Sequence, residues 1–88
     1  YSVEILKKED EEKNTDLYET LKMYYLCGNN IAETASRMYV HRNTLVYRLR
    51  KIRELTGSDI DDMEQSGELL ALMMMNDLER IMDGGTRE

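Results

Sequence analysis

Eighty-eight residues suffice for one domain and no more, because a single core generally draws on about 100 to 150 residues and shorter chains bury only ~60–70% of their unfolded surface. Hydrophobic residues are 41% of the chain and charged residues 34%, above the ~25% of an average globular protein, which leaves apolar side chains enough for a small core. One Cys and one His exclude an internal disulfide and a four-ligand zinc site, and the formal net charge of −6, taken alone, weighs against a polyanionic partner.

Proline is absent, Gly is scarce, and Leu, Met, Glu, Lys and Arg abound, so propensity predicts an all-α chain. A lone Cys fits a reducing cytoplasm. No apolar run approaches the ~20 residues of a membrane span, and the first residues carry neither a basic flank nor an apolar signal core. The chain begins at Tyr1 rather than Met and is read as a piece of a longer protein.

Residues 1–13 set Val3, Ile5 and Leu6 before the charged run Lys7 to Lys13, predicting a peripheral helix or linker with a solvated second half. Asp16 with Glu19 three residues on has the spacing of a capping box, ahead of a helix whose stripe is Leu17, Leu21, Tyr24 and Tyr25. The two tyrosines read as packing residues, and Gly28 with Asn29 ends the helix. Asn30 caps again, and a short helix follows with Ile31, Ala32, Ala35 and Met38 on its buried face. Ala35 is small enough for another helix to approach closely. The next helix starts after only Tyr39, Val40 and His41, too few residues to reverse the chain into a long hairpin, so the pair reads as a helix-turn-helix.

The second helix of the pair spans about 42–55, with Gly57 placed to close it. Leu45, Leu49 and Ile52 form its inward stripe. At 100° per residue Asn43, Tyr47 and Arg50 lie opposite, with Thr44, Arg48 and Lys51 on one shoulder and Arg42 and Arg53 on the other. From Arg37 to Arg53 there are six cations and no Asp or Glu, so this span is +6 and the rest of the chain −12. A merely solvated helix would mix in acids for i,i+4 pairs, and none occurs before Glu54. Hydrogen-bonding groups along the middle with cations on both edges suit a DNA groove, where side chains near the helix start meet base edges and flanking cations meet phosphates.

The segment NIAETASRMYVHRNTLVYRLRKIRELTG, residues 30–57, resembles the C-terminal helix-turn-helix of PucR-type transcription regulators, VHRNTLVYRLRKI most of all. DLYETLKMYYLCGNN before it and SDIDD with an apolar helix after it extend the likeness over nearly everything past residue 14. The Fis-type module shares Arg42 through Leu45 but normally ends soon after its recognition helix, whereas this chain continues for some thirty residues. The resemblance implies a small helical bundle of about five helices with a DNA-binding domain over 14–83, usually preceded by a larger sensory part, and operator binding as its activity. Carried over residue by residue, Ala35 matches the small crossing residue, Val40 the apolar turn anchor, Leu45 the buried residue of the recognition helix, and His41, Arg42, Asn43 and Thr44 its polar start. Many helix-turn-helix proteins have Gly four residues after the small residue, whereas Tyr39 stands here, and a positive φ there would strain the chain by ~1 kcal/mol or more.

The DNA-binding set expected from pattern and resemblance together is Arg37, His41, Arg42, Asn43, Thr44, Tyr47, Arg48, Arg50 and Lys51. Arg42 and Arg48 are assigned to phosphate, Asn43 and Thr44 to phosphate or bases, Tyr47 to a phosphate oxygen or a thymine methyl, and His41 to a helix cap or phosphate donor. No titratable cluster supports catalysis: Cys27 lies fourteen residues from the only His, so neither an enzyme nor a cofactor is expected. The alternating acids of residues 58–62 lack the Gly and closing Glu of a calcium loop, so no metal is expected either, and Ile60 among them reads as a core plug. A last helix over 66–82 carries Leu69, Leu72 and Met73 on one stripe and Leu70, Met74, Leu78 and Ile81 on another, wider than a surface helix needs. This predicts a homodimer, or docking to a preceding sensory domain through residues 69–82; residues 84–88 are expected to be a disordered tail. A rival function is a protein-interaction bundle whose basic helix docks an acidic partner.

Overall fold

A computed structural model describes residues 2–86 of the chain, with side chains through residue 83. Five helices follow in order: α1 Ser2–Lys13, α2 Leu17–Leu26, α3 Ile31–Met38, α4 Arg42–Thr56 and α5 Met63–Thr86, with no strand among the described residues. α5 runs four residues past the expected end, into the stretch expected to be a disordered tail, and residues 87 and 88 of that stretch lie outside the described residues.

Left-handed residues stop the first four helices. Asn14, Gly28, Tyr39 and Gly57 have φ of 53°, 66°, 58° and 64°, and the chain reversal each makes lets N–H groups return to the last helical carbonyls. After α3, for example, the Tyr39 and Val40 N–H groups donate to the Ser36 and Ala35 carbonyls at 3.2 and 3.0 Å. Tyr39 therefore takes the strained conformation that Gly would take freely, with its side chain 95% exposed.

The start of α2 departs from the sequence reading. Asp16 makes no side-chain cap. The Asp10 carboxylate, one turn from the end of α1, accepts from Leu17 N at 2.7 Å, Tyr18 N at 3.0 Å and the Thr15 hydroxyl at 2.6 Å. One residue thus satisfies two of the free donors of α2 and ties two helices together, which a local capping pattern does not reveal. Asn30 caps α3 as expected, its Oδ1 accepting from Glu33 N at 2.9 Å. α5 begins at Met63, three residues early, because Asp62 Oδ2 accepts from Gln65 N at 3.0 Å.

The core gathers Leu6, Leu17, Leu21, Tyr24, Ala35, Leu45, Leu49, Ile52, Ile60, Leu69 and Met73 into one cluster. α2 lies centrally, packed on α1, α3, α4 and α5. α1 is not peripheral: Leu6 is fully buried, Val3 joins the same cluster, and the helix packs on α2, α4 and α5, so the packed unit begins before residue 14. On α3 the expected face is turned by part of a residue step. Ala32 is exposed, while Thr34 is fully buried with its hydroxyl donating to Asn30 O at 2.6 Å, a bond that makes burial of the polar group tolerable.

Two polar clasps hold the outer pieces. Asp77 of α5 accepts from Lys22 Nζ at 2.7 Å and from the Tyr18 hydroxyl at 2.8 Å. The Lys22 ammonium holds the Asp77 carboxyl below its usual range. Burial works against the Lys22 charge, but Asp77 and Glu19 outweigh it and its pKa is raised. Asp61, just after the core plug Ile60, accepts from the Tyr24 hydroxyl at 2.5 Å, Arg53 at 2.9 Å and Asn29 at 3.1 Å. Burial opposes its charge, yet these donors lower its pKa, while burial and Asp61 push Tyr24 up to about 12.

Candidate nucleic-acid interface

α4 has two unlike sides. Leu45, Leu49 and Ile52 are all but fully buried at 0%, 1% and 0% exposure, which anchors the helix rigidly across α3 and α2. Asn43, Tyr47 and Arg50 are exposed on the opposite side, and Arg42, Thr44, Arg48 and Lys51 flank them. The local sequence produces this because the apolar residues Leu45, Leu49 and Ile52 recur at four and three, while the residues between them, Val46 apart, are polar or cationic.

The first turn is capped by a side chain and carries a cation. His41 is the extended residue before the helix, and its Nδ1 accepts from Asn43 N at 3.0 Å, which leaves Nε2 as the ring's N–H donor. The first turn of α4 holds no acid, and Arg42 opens it, although helix starts ordinarily favour Asp or Glu. Arg50 stacks its guanidinium over the Tyr47 ring at 5.8 Å, holding both side chains along the outward line.

Among the described residues, no ion pair joins Arg42, Arg48, Arg50 or Lys51 to a carboxylate. The other two cations of the basic span are engaged. Arg53 pairs with Asp61 at 2.9 Å, and Arg37 with Glu33 at 3.2 Å along α3. The Arg37 pair is exposed on both sides, so it is worth only a few tenths of a kcal/mol and yields readily to another anion. Of the nine expected residues, eight share α4 and its start; Arg37 sits on α3, joined to none of them.

A cleft of about 340 Å³ runs beside one shoulder of α4. Thr44, Tyr47, Arg48 and Lys51 form one wall, and Lys13, Asn14 and Thr15 at the end of α1 are among the residues opposite. Sequence reading missed the second wall. Lys13 closes a run of charges that reads as solvated surface, and only the packing of α1 on α4 brings it to the basic helix. Among the described residues no group of three or more His, Cys, Asp or Glu side chains is placed to hold a metal ion, and no helix is long and apolar enough to cross a membrane.

Comparison with known proteins leads to the same region. The chain is 39% identical over 72 residues to the proline-responsive transcriptional activator PutR of Bacillus subtilis, covering 81% of this chain and 18% of that protein. It is 45% identical over 67 residues to the purine catabolism regulatory protein of the same organism, covering 75% and 13%. The chain thus spans less than a fifth of the length of these relatives. No solved structure matches it significantly. The model of the PucR C-terminal helix-turn-helix domain matches residues 17–74, from the first residue of α2 through most of the buried part of α5. With its turn, its basic helix and its clasped last helix all inside or bordering that match, the chain belongs to the PucR C-terminal helix-turn-helix family.

Proposed function

We propose that this domain binds duplex DNA sequence-specifically, with α4 in the major groove, as the DNA-reading part of a cytoplasmic transcription regulator. The carrying observation is the set of four α4 cations without carboxylate partners among the described residues, on a helix whose other side is the core. A chain of net charge −6 gathers its positive charge where a polyanion would meet it. Arg42 and Arg48 take phosphates, with Arg37, His41, Arg50 and Lys51 as further backbone donors; Asn43 and Thr44 take bases or phosphates, and Tyr47 a phosphate oxygen or a thymine methyl. The relatives' names, a transcriptional activator and a regulatory protein, support control of transcription as the setting. Nothing in this role calls for a catalytic group, a metal or a cofactor.

The test is selection of bound duplexes from a random pool, followed by titration of the best duplex against a scrambled one over a range of salt. Preferential binding that weakens steeply with salt is expected. In that assay Arg42→Ala weakens both duplexes alike and flattens the salt slope by about one, as for a phosphate contact. No response to any duplex at low salt would reject the reading and favour a protein-interaction bundle docking an acidic partner.

The last helix supplies the second part of the reading. Leu72, Met74, Met75, Leu78, Ile81 and Met82 are 47–68% exposed along α5, an apolar line of the kind that marks a contact surface. We infer that a second copy covers this face, since paired helix-turn-helix domains read two half-sites about 34 Å apart. Sedimentation at high micromolar concentration should give a dimer; a monomer throughout would assign the face to contact with another part of a longer protein.

A further inference from the structure

A helix entering a groove meets it with its outward line and both shoulders, but the two shoulders of α4 are not alike. Thr44, Arg48 and Lys51 follow one another at four and three residues, so they form a single stripe, and that stripe looks across the cleft at the end of α1. Arg48 and Lys51 are accordingly half-buried, whereas Arg42 and Arg50 are exposed. A nucleic-acid strand beside this shoulder would therefore run between two protein walls and not over an open edge.

The far wall has the chemistry of a backbone contact. Lys13 is 60% exposed in its side chain, and its only partner among the described residues is Glu9 at 3.2 Å on the same helix. Asn14, left-handed at the end of α1, is exposed and lines the cleft, and its side-chain amide has no intramolecular hydrogen bond among the described residues. Thr15 already donates its hydroxyl proton to Asp10, so it contributes a wall and no donor. Glu9 and Asp16 are the two carboxylates in the lining, against the cations of Lys13, Arg48 and Lys51. Glu9 is only 13% exposed in its side chain and is paired with Lys13, while Asp16 is exposed, so the lining sets three cations against one covered and one open carboxylate.

We propose that this cleft is a phosphodiester-binding groove, in which the end of α1 and the shoulder of α4 hold one strand of the bound duplex from both sides, Lys13 and Asn14 donating opposite Arg48 and Lys51. The inference rests on DNA binding by α4 and adds α1 to the interface. It makes residues outside the helix-turn-helix pair part of DNA affinity, and, because they meet only phosphate, without effect on sequence preference.

The experiment measures binding of the whole 88-residue chain to a selected and a scrambled labelled duplex between 50 and 200 mM salt, for the parent chain, Lys13→Gln, Lys13→Arg, Glu9→Gln and Arg48→Gln. Lys13→Gln is expected to weaken both duplexes about three- to tenfold with the salt slope reduced by about one, and Lys13→Arg to restore both values. Glu9→Gln should tighten both, since it releases Lys13 from its pair. Thermal midpoints of the Lys13 variants should match the parent, because an exposed i,i+4 pair contributes little to stability. Unchanged affinity and slope for Lys13→Gln, with Arg48→Gln still weakened, would overturn the groove while leaving DNA binding by α4 intact. A loss for Lys13→Gln confined to the selected duplex would also overturn it, and a parent chain that binds neither duplex would instead reject the underlying reading.

Discussion

Cations in this domain are used in two ways, and the contrast between α4 and the α2–α5 junction separates them. Lys22 is 16% exposed in its side chain, 2.7 Å from Asp77, and touches the Tyr18 ring at 5.5 Å; it is built into the fold. Arg42 and Arg50 are exposed and, among the described residues, pair with no carboxylate. The same charge is thus neutralised in one place to hold two helices and left unneutralised in another. An unpaired surface cluster of like charge carries self-repulsion, which the acids elsewhere in the chain relieve only at a distance and a contacting anion would relieve directly.

The sharpest way to break this division is to cut the inward side of α4. Leu49→Ala removes a side chain that is 1% exposed and contacts the middle of the core, and a loss of about 2–5 kcal/mol is expected. That is a large fraction of the total for so small a domain, so urea denaturation should give a much lower midpoint, with partial unfolding already in buffer. Arg50→Ala, one residue on, should leave the midpoint within about 0.5 kcal/mol of the parent while weakening DNA binding. Comparable destabilisation by both would mean that the outward side also holds the fold.

Asp77→Asn comes next. It leaves Lys22 without its closest partner and weakens the tie of Tyr18 to α5, for an expected loss of about 1–3 kcal/mol. DNA affinity measured well below the midpoint should not change, because α5 is remote from the basic helix in every contact it makes: it packs on α1 and α2, not on α4. Loss of DNA affinity in the still-folded variant would show that the clasp also positions the reading helix.

How much of this was legible in advance follows the range of the interactions. Leu45, Leu49 and Ile52, the turn around Ala35, Gly57 as a helix stop and Ile60 as a plug are local patterns with a fixed period, and they appear in the fold as read. Asp10 was not legible as the cap of α2, because Asp16 and Glu19 match the pattern better and the choice was made by where α1 ends in space. No local pattern marks Asp61 or Asp77, and only the approach of Tyr24 and Lys22 from another helix makes them clasps. Lys13 was hidden for the same reason. In the candidate site, residues on one helix were legible; the wall contributed by a second helix was not.

Titration reaches the clasps without substitution. Asp61 and Asp77 have lowered pKa values in the folded chain, so their contribution to stability is complete above the unfolded carboxylate value of about 4 and is lost as pH falls through the folded values. Tyr24 and Tyr25 behave oppositely. Burial raises both to about 12, so the fold favours their protonated forms; that contribution is complete below pH 10 and is lost as pH rises from there toward 12. Thermal midpoints should therefore be level between about pH 5 and 9, falling on both sides. Asp77→Asn should flatten the acid limb and leave the alkaline limb in place, and an acid limb unaltered in that variant would assign the acid sensitivity elsewhere.

The smallest expected effect concerns the turn that joins the two uses of charge, since Tyr39 sets the angle at which α4 leaves α3. Its φ of 58° costs an L-residue about 1–2 kcal/mol, and its ring is 95% exposed, so no packing offsets the strain. Tyr39→Gly removes the strain but gives the unfolded chain more freedom, by about 0.5–1 kcal/mol. A net gain of up to about 1 kcal/mol in unfolding free energy is expected, read as a small rise in denaturation midpoint. If the variant is more stable and binds DNA as the parent does, Tyr39 serves neither fold nor recognition. If it is more stable but binds less tightly, the exposed ring itself touches the duplex, and the interface extends from α4 onto the turn.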